Sequence, residues 1–474
     1  MKLQFFLPLL LTAGILQAAE PAGVTLPPYQ ELHLKNGATV LLMEKHDVPM
    51  IAFTARLRGG AIDDPSGKEG VTAITAEMLQ KGAGKRSAAE FASAVDGAGA
   101  DLSVSPGLEE TLVRGEFLAR DSDLMVELLS DLLIRPAFPE DELAKVRQQA
   151  IERLAAAKDG DPRWLIGTYF HAWFFGDHPY GNPLRGTATT LATITRKDVL
   201  DDYRANFGGN RLILAVVGDF DAKGMAGRIE KAFGEWARTP APAPVAPPTA
   251  ASKGRRVLLV DKPDATQTYF WIGNLGIART DPDYVATDLA NTVFGGRFTS
   301  MINSELRIKS GLTYGASSVL DLDTRPGALA ISSYTKNDST EKAVDLSLDV
   351  LKRFHQNGLD AETLASAKAY VLGQYPPELE RNGQLASKIS ELAFYGLDRS
   401  DVDEYAARVN AVTTEGIRKV IDRVYPTTDN LTFVFIGKAS AIRDVVKKYG
   451  PVEEMKITDP GFRPAKDVNA APAK

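Results

Sequence analysis

The 474-residue sequence contains no cysteine, so disulfides, thiolate metal sites and a thiol nucleophile are all excluded. Histidine is nearly as scarce. The five are His33, His46, His171, His178 and His355, and none lies three or four residues from another. Pairs of imidazoles one helical turn apart are therefore missing. Basic charge is not in excess, and the net charge of -6 argues against a nucleic-acid surface, which would need a basic face. No G-x-S-x-G elbow is present, so an independent serine hydrolase ranks last. After the N-terminus no apolar run reaches about 18 residues, so no membrane-spanning segment is expected in the processed chain.

The N-terminus reads as an export signal. Lys2 precedes an apolar stretch at residues 5–16, and Leu16-Gln17-Ala18 offers a small-residue cleavage site. Residues 1–18 are expected to be a signal peptide. A disulfide-free exported chain fits a periplasm, or otherwise a secreted fluid. No cysteine follows the signal, which leaves no lipid attachment point.

The length suggests at least two domains. The stretch TPAPAPVAPPTAA at residues 239–251 can build neither a helix nor a central strand. It predicts an extended linker over residues 239–253, between domains at 27–238 and 254–458. Residues 459–474 are expected to form a disordered tail.

The two halves repeat one another. NRLILAVVGD at residues 210–219 is answered by NLTFVFIGK at residues 430–438. Asp121-Ser122 is answered by Asp338-Ser339, each after a strand and before a helix. Gly82-Ala83-Gly84 is answered by Gly295-Gly296 at a helix end. Near-constant offsets over three features mark a duplication. Directly joined strands and helices in blocks predict an α+β fold: two duplicated domains, each a mostly antiparallel sheet covered by helices.

Residues 57–85 read LRGGAIDDPSGKEGVTAITAEMLQKGAGK, a strand, a polar turn and a helix over about 70–80. This frame resembles the insulinase/pitrilysin family of zinc peptidases. So do Gly176-Asp177-His178-Pro179-Tyr180-Gly181, Gly186-Thr187 and the strand end Val216-Val217-Gly218-Asp219. The similarity runs from about Tyr29 to Tyr449. In that family the helix carries H-x-x-E-H, two imidazoles on one face with a general base beside them. Here the position holds Ala73, Ile74, Thr75, Ala76 and Glu77, so both histidines and the base are absent. The residues themselves read as a plain amphipathic helix with Val71, Ile74 and Met78 facing a core. Glu152 loosely matches the family's distant third ligand, and it also reads as an exposed helix glutamate. No metal ligand and no cofactor are expected in this chain.

Residues 294–318 read FGGRFTSMINSELRIKSGLTYGASS. A helix is expected to end at Gly295-Gly296, a second to run through Arg307, and a strand to carry Tyr314. The resemblance implies that Arg307 and Tyr314 hold substrate carbonyls and stabilise a developing oxyanion. It also implies that Gly295 and Gly296 form a loop that a peptide approaches closely.

The same resemblance implies a division of labour. Some bacterial members consist of two chains, one with the zinc motif and one with the Arg/Tyr pair. The expectation is a non-zinc subunit of an exported heterodimeric metallopeptidase. Zinc is expected in a homologous partner chain, and the substrate is an unfolded peptide docked as an added strand. The alternative is a peptide-binding or scaffolding protein with no catalytic role.

Overall fold

The computed structural model describes residues 23–241, 244–248 and 254–464. The expected signal peptide lies outside these residues, as do parts of the linker and residues 465–474. Two six-stranded sheets organise the chain. The first comprises β1 (Gln30–His33), β2 (Thr39–Glu44), β3 (Met50–Arg58), β4 (Asp101–Pro106), β5 (Glu110–Leu118) and β6 (Leu212–Gly218). The second comprises β7 (Arg256–Asp261), β8 (Gln267–Leu275), β9 (Ala316–Leu322), β10 (Pro326–Lys336), β11 (Thr432–Gly437) and β12 (Val452–Lys456). The strand orders are β1-β2-β6-β3-β5-β4 and β12-β7-β11-β8-β10-β9.

Five of the six positions correspond one to one, which is the duplication made structural. The edge beside β2 and β7 differs. In the first sheet an N-terminal strand runs antiparallel to β2. In the second the C-terminal strand β12 runs parallel to β7. Only the β2–β6, β7–β11 and β7–β12 pairings are parallel, so both sheets are mostly antiparallel.

Strands β6 and β11 are buried along their whole length. Their unbroken apolar sequences follow from cover on both faces. One face of each sheet packs on its own half's helices. In the first half these include Val71–Met78, Ser122–Ile134 and Ala222–Phe233.

The other face is covered by a helix from the opposite half. Helix Asn382–Tyr395 places Leu385, Ile389 and Leu392 against Leu41, Met43, Ile213 and Val217 of the first sheet. Helix Ile166–Phe175 places Tyr169, Phe170 and Phe174 against Leu258, Val260, Val434 and Ile436 of the second. The halves are thus interlocked by exchanged helices.

The N-terminal signature of helix Ala88–Gly97 is a complete capping box between Ser87 and Glu90. Residues 459–464 correct the expected start of the tail. Phe462 is buried edge-on against Tyr169, 5.0 Å between ring centres, and Arg463 pairs with Asp177. The linker is tied down at Ala246, whose carbonyl lies 2.9 Å from Nε2 of His178. Among the described residues no helix is long and apolar enough to cross a membrane.

Candidate functional site

The helix Val71–Met78 starts at Gly70, whose φ of 95° only glycine adopts without strain. A Cβ there would also sit 2.8 Å from the backbone of Gly186. Asp64 holds this start, accepting bonds from the Gly70 and Thr72 amides and the Thr72 hydroxyl. Burial pushes the Asp64 carboxyl up to about 7, and the neighbouring Asp202 charge adds to the effect. Val71, Ile74 and Met78 face the core as the amphipathic pattern requires.

Ala73, Ala76 and Glu77 line a cavity of about 720 Å³ together with Val104, Leu154 and Phe462. Glu77 is not free within it. Nη2 of Arg153 donates to its Oε2 at 2.7 Å. Glu152, the neighbour of Arg153, is exposed and accepts from Gln148 at 2.8 Å. A zinc ion does not fit these residues. Two of the three side chains are methyl groups, the third is neutralised, and a guanidinium stands where a second cation would have to enter. The histidines lie elsewhere. His171 is 2.7 Å from Asp321, His46 is 2.7 Å from Asp219, and His355 meets the Pro426 carbonyl.

The second candidate region is a cleft of about 460 Å³ beside Arg307. The chain there is unusually wound. Helix Tyr284–Asn291 continues into a π-turn at Thr292–Gly296, and the short helix Met301–Asn303 continues into another at Ser304–Lys309. Wide turns of this kind concentrate at functional sites. Gly295 is required by its own neighbour: a Cβ there would lie 2.3 Å from the Ser318 amide nitrogen of β9. Its role in this structure is close packing of the turn onto the sheet.

Arg307 is exposed, and its guanidinium rests over the ring of Phe298, 4.8 Å from the centre. Tyr314 does not lie on a strand as expected. It sits in the loop before β9 and is 79% exposed. The buried Asn303 connects the two segments. Its amide donates to the Phe298 carbonyl at 2.6 Å, and its Oδ1 accepts from the Ala316 amide at 3.2 Å. One side chain thereby fixes both the platform beneath Arg307 and the root of the Tyr314 loop. Sequence reasoning missed Phe298 and Asn303, because a contact spanning a π-turn has no regular spacing to betray it.

The two regions share no lining residue. The turn Pro162–Trp164 stands between them, with Arg163 lining the Arg307 cleft and Trp164 the Glu77 cavity. Between the halves lies a polar cluster that the sequence did not reveal. The Tyr180 hydroxyl donates to Glu109 at 2.6 Å, and Glu109 accepts from the Thr324 amide and hydroxyl. Asp323 nearby is pushed up to about 7 by burial and by the Glu109 charge.

The family model described as insulinase (peptidase family M16) matches residues 40–188, and the one described as peptidase M16 inactive domain matches residues 193–371. An uncharacterized zinc protease of Streptomyces coelicolor is 26% identical, over 82% of this chain and 86% of that protein. A non-peptidase homolog of Helicobacter pylori is 24% identical, over 92% of this chain and 98% of that protein. Among solved structures, a peptidase M16 inactive domain from Pseudomonas fluorescens superposes with a TM-score of 0.81 at 24% identity, covering 90% of this chain and all of that one. A Helicobacter pylori protease gives 0.79 at 20% identity, covering 87% of this chain and all of that one. The α+β duplicated architecture is thus that of the M16 inactive domain, and the chain belongs to the insulinase (M16) peptidase family as a member without the zinc motif.

Proposed function

We propose that this chain is the non-zinc subunit of an exported two-chain metallopeptidase and is inactive as a peptidase by itself. The observation that carries the reading is an asymmetry between its two candidate regions. At the zinc-motif position the polar capacity is consumed by the Glu77–Arg153 pair. At the cleft, Arg307 has no carboxylate partner among the described residues, and Tyr314 is open to solvent. A guanidinium supported by an aromatic ring keeps its N–H donors for a ligand. The Arg307 guanidinium on the cleft, and the Tyr314 phenol on the loop next to the cleft-lining Gly315, suit the carbonyls of an extended peptide. A homologous partner carrying H-x-x-E-H would supply the zinc, with this chain supplying Arg307 and Tyr314 in trans.

The test is a peptidase assay with zinc analysis on this chain alone, on a homologous zinc subunit, and on the mixture. The mixture should cleave an unfolded peptide faster than the zinc subunit alone. Arg307→Ala should lower that rate without changing co-elution of the two chains. Chelator-sensitive cleavage by the pure chain, or a mixture no faster than the partner, refutes the proposal.

A further inference from the structure

The Arg307 cleft is unbalanced in charge. The protein as a whole is acidic, with a net charge of -6. Yet the described residues lining the cleft include Arg163, Arg297 and Arg307, and no aspartate or glutamate. The remaining polar lining is neutral: Ser317, Ser332, Asn303, Tyr269 and Tyr334 among others.

The arginines are held by rings more than by acids. Arg307 rests over Phe298. Arg297 lies 6.0 Å from the centre of the Tyr370 ring and donates to the Ser366 hydroxyl at 3.0 Å. Its Nε is buried without an acceptor. Arg163 lies 4.9 Å over Tyr334, and among the described residues its one carboxylate contact is Asp161 at 3.2 Å, both side chains being about half exposed. Neither Arg297 nor Arg307 has a carboxylate within ion-pair distance among the described residues. Some arginines of the same half are matched, Arg353 by Asp349, Arg423 by Asp281 and Arg443 by Glu454, whereas Arg255 and Arg256, outside the cleft, rest on rings and carbonyls. Phe298 and Tyr370 are also among the few large apolar side chains left exposed, at 60% and 42%. The Phe298 ring and the unspent guanidinium donors share one opening, and Tyr370 lies beside Arg297.

We propose that this cleft selects acidic peptides, with side-chain carboxylates of an extended segment docking on Arg297 and Arg307. The proposal rests on the peptide-holding role above, whose substrate class it names. It does not require the zinc partner. The planar guanidinium fork matches a carboxylate with two parallel bonds. Charge complementarity favours an anion at this opening. The acidic remainder of the surface disfavours a long polyanion such as nucleic acid. Exposed tyrosine and phenylalanine rings supply apolar cover for the peptide between its carboxylates.

The experiment measures fluorescence anisotropy of short labelled peptides with the full chain alone. A Glu-containing peptide is compared with its Gln isostere and a Lys counterpart, all C-terminally amidated, and with a free-acid version of the Gln peptide. The Glu peptide should bind tighter than the Gln peptide by about fivefold for each guanidinium–carboxylate pair, and added salt should erode the difference. Arg297→Gln should cost the Glu peptide about fivefold and narrow its preference over the Gln peptide, with thermal melting confirming the fold. Arg307→Gln, on an exposed side chain, should narrow the same preference by a similar factor. Equal binding of Glu and Gln peptides overturns the acidic selectivity and leaves the peptide-holding role standing. Tight binding of the free-acid Gln peptide alone also overturns it, assigning the cleft to a terminal carboxylate. No binding of any peptide overturns both.

Discussion

Replacing Arg56 with methionine should loosen the joint between the two halves. Arg56 is 6% exposed on β3 and faces the exchanged helix Asn382–Tyr395. Its Nη1 donates to both oxygens of Glu110, at 2.6 and 2.7 Å, and its Nε donates to the Ser390 hydroxyl at 2.9 Å. Methionine keeps the apolar stem and removes the charge. The Ser387 carbonyl that Arg56 also touches keeps its bond from the Ser390 hydroxyl. The loss therefore falls mainly on Glu110, whose side chain is 18% exposed. Removing one partner of a buried pair costs about 3–5 kcal/mol, and this partial exposure places Arg56→Met near the lower end. A double variant Arg56→Met/Glu110→Leu should recover most of that, because no charge is left stranded. The assay is urea unfolding followed by far-UV dichroism and tryptophan fluorescence. The two probes should coincide, since each sheet depends on a helix from the other half. A change below about 0.5 kcal/mol for Arg56→Met, or a double variant as weak as the sum of the singles, refutes the reasoning.

Mild acid should stabilise the protein. Burial raises the carboxyls of Asp64 and Asp323 to about 7 and of Asp202 to about 6, against an unfolded value of 3.8. The folded chain then binds protons that the unfolded chain does not, so stability falls as pH rises from about 4 to about 7 and the full cost is present above that. Each group contributes a slope of up to about 1.4 kcal/mol per pH unit, and Asp202→Asn should flatten the profile below pH 6. Denaturation midpoints no higher at pH 5 than at pH 7.5 contradict this. Grafting the zinc motif onto the helix should not suffice for zinc binding. Ala73→His with Ala76→Glu and Glu77→His strips Arg153 of its carboxylate and leaves a cation in the cavity. Metal analysis should show substoichiometric zinc until Arg153 is also replaced by glutamate, and stoichiometric zinc with Arg153 intact refutes the electrostatic account.

Local pattern and spacing made a large part of this protein legible. Alternation and apolar runs mark strands because side-chain direction repeats every two residues, and the equal spacing of those runs exposed the duplication. The Ser87–Glu90 cap and the core face of Val71, Ile74 and Met78 follow from the same local rules. The absence of histidine at Ala73 and Glu77 is a fact of composition that no folding can alter.

What the sequence alone did not determine are the partners across long separations. The apolar face of Asn382–Tyr395 announces that it will be buried, and says nothing about which sheet buries it. The unbroken apolar run of β6 carries the trace of that second cover, but only from the covered side. Glu77 and Arg153 meet on different helices, and Arg307 finds Phe298 across a π-turn. Tyr314 left the expected strand for the loop before it, and Phe462 left the expected tail for the core. Burial and backbone geometry are encoded within a few residues of each position. The choice of contact is made by the free energy of the whole packed chain, and only the tertiary structure records it.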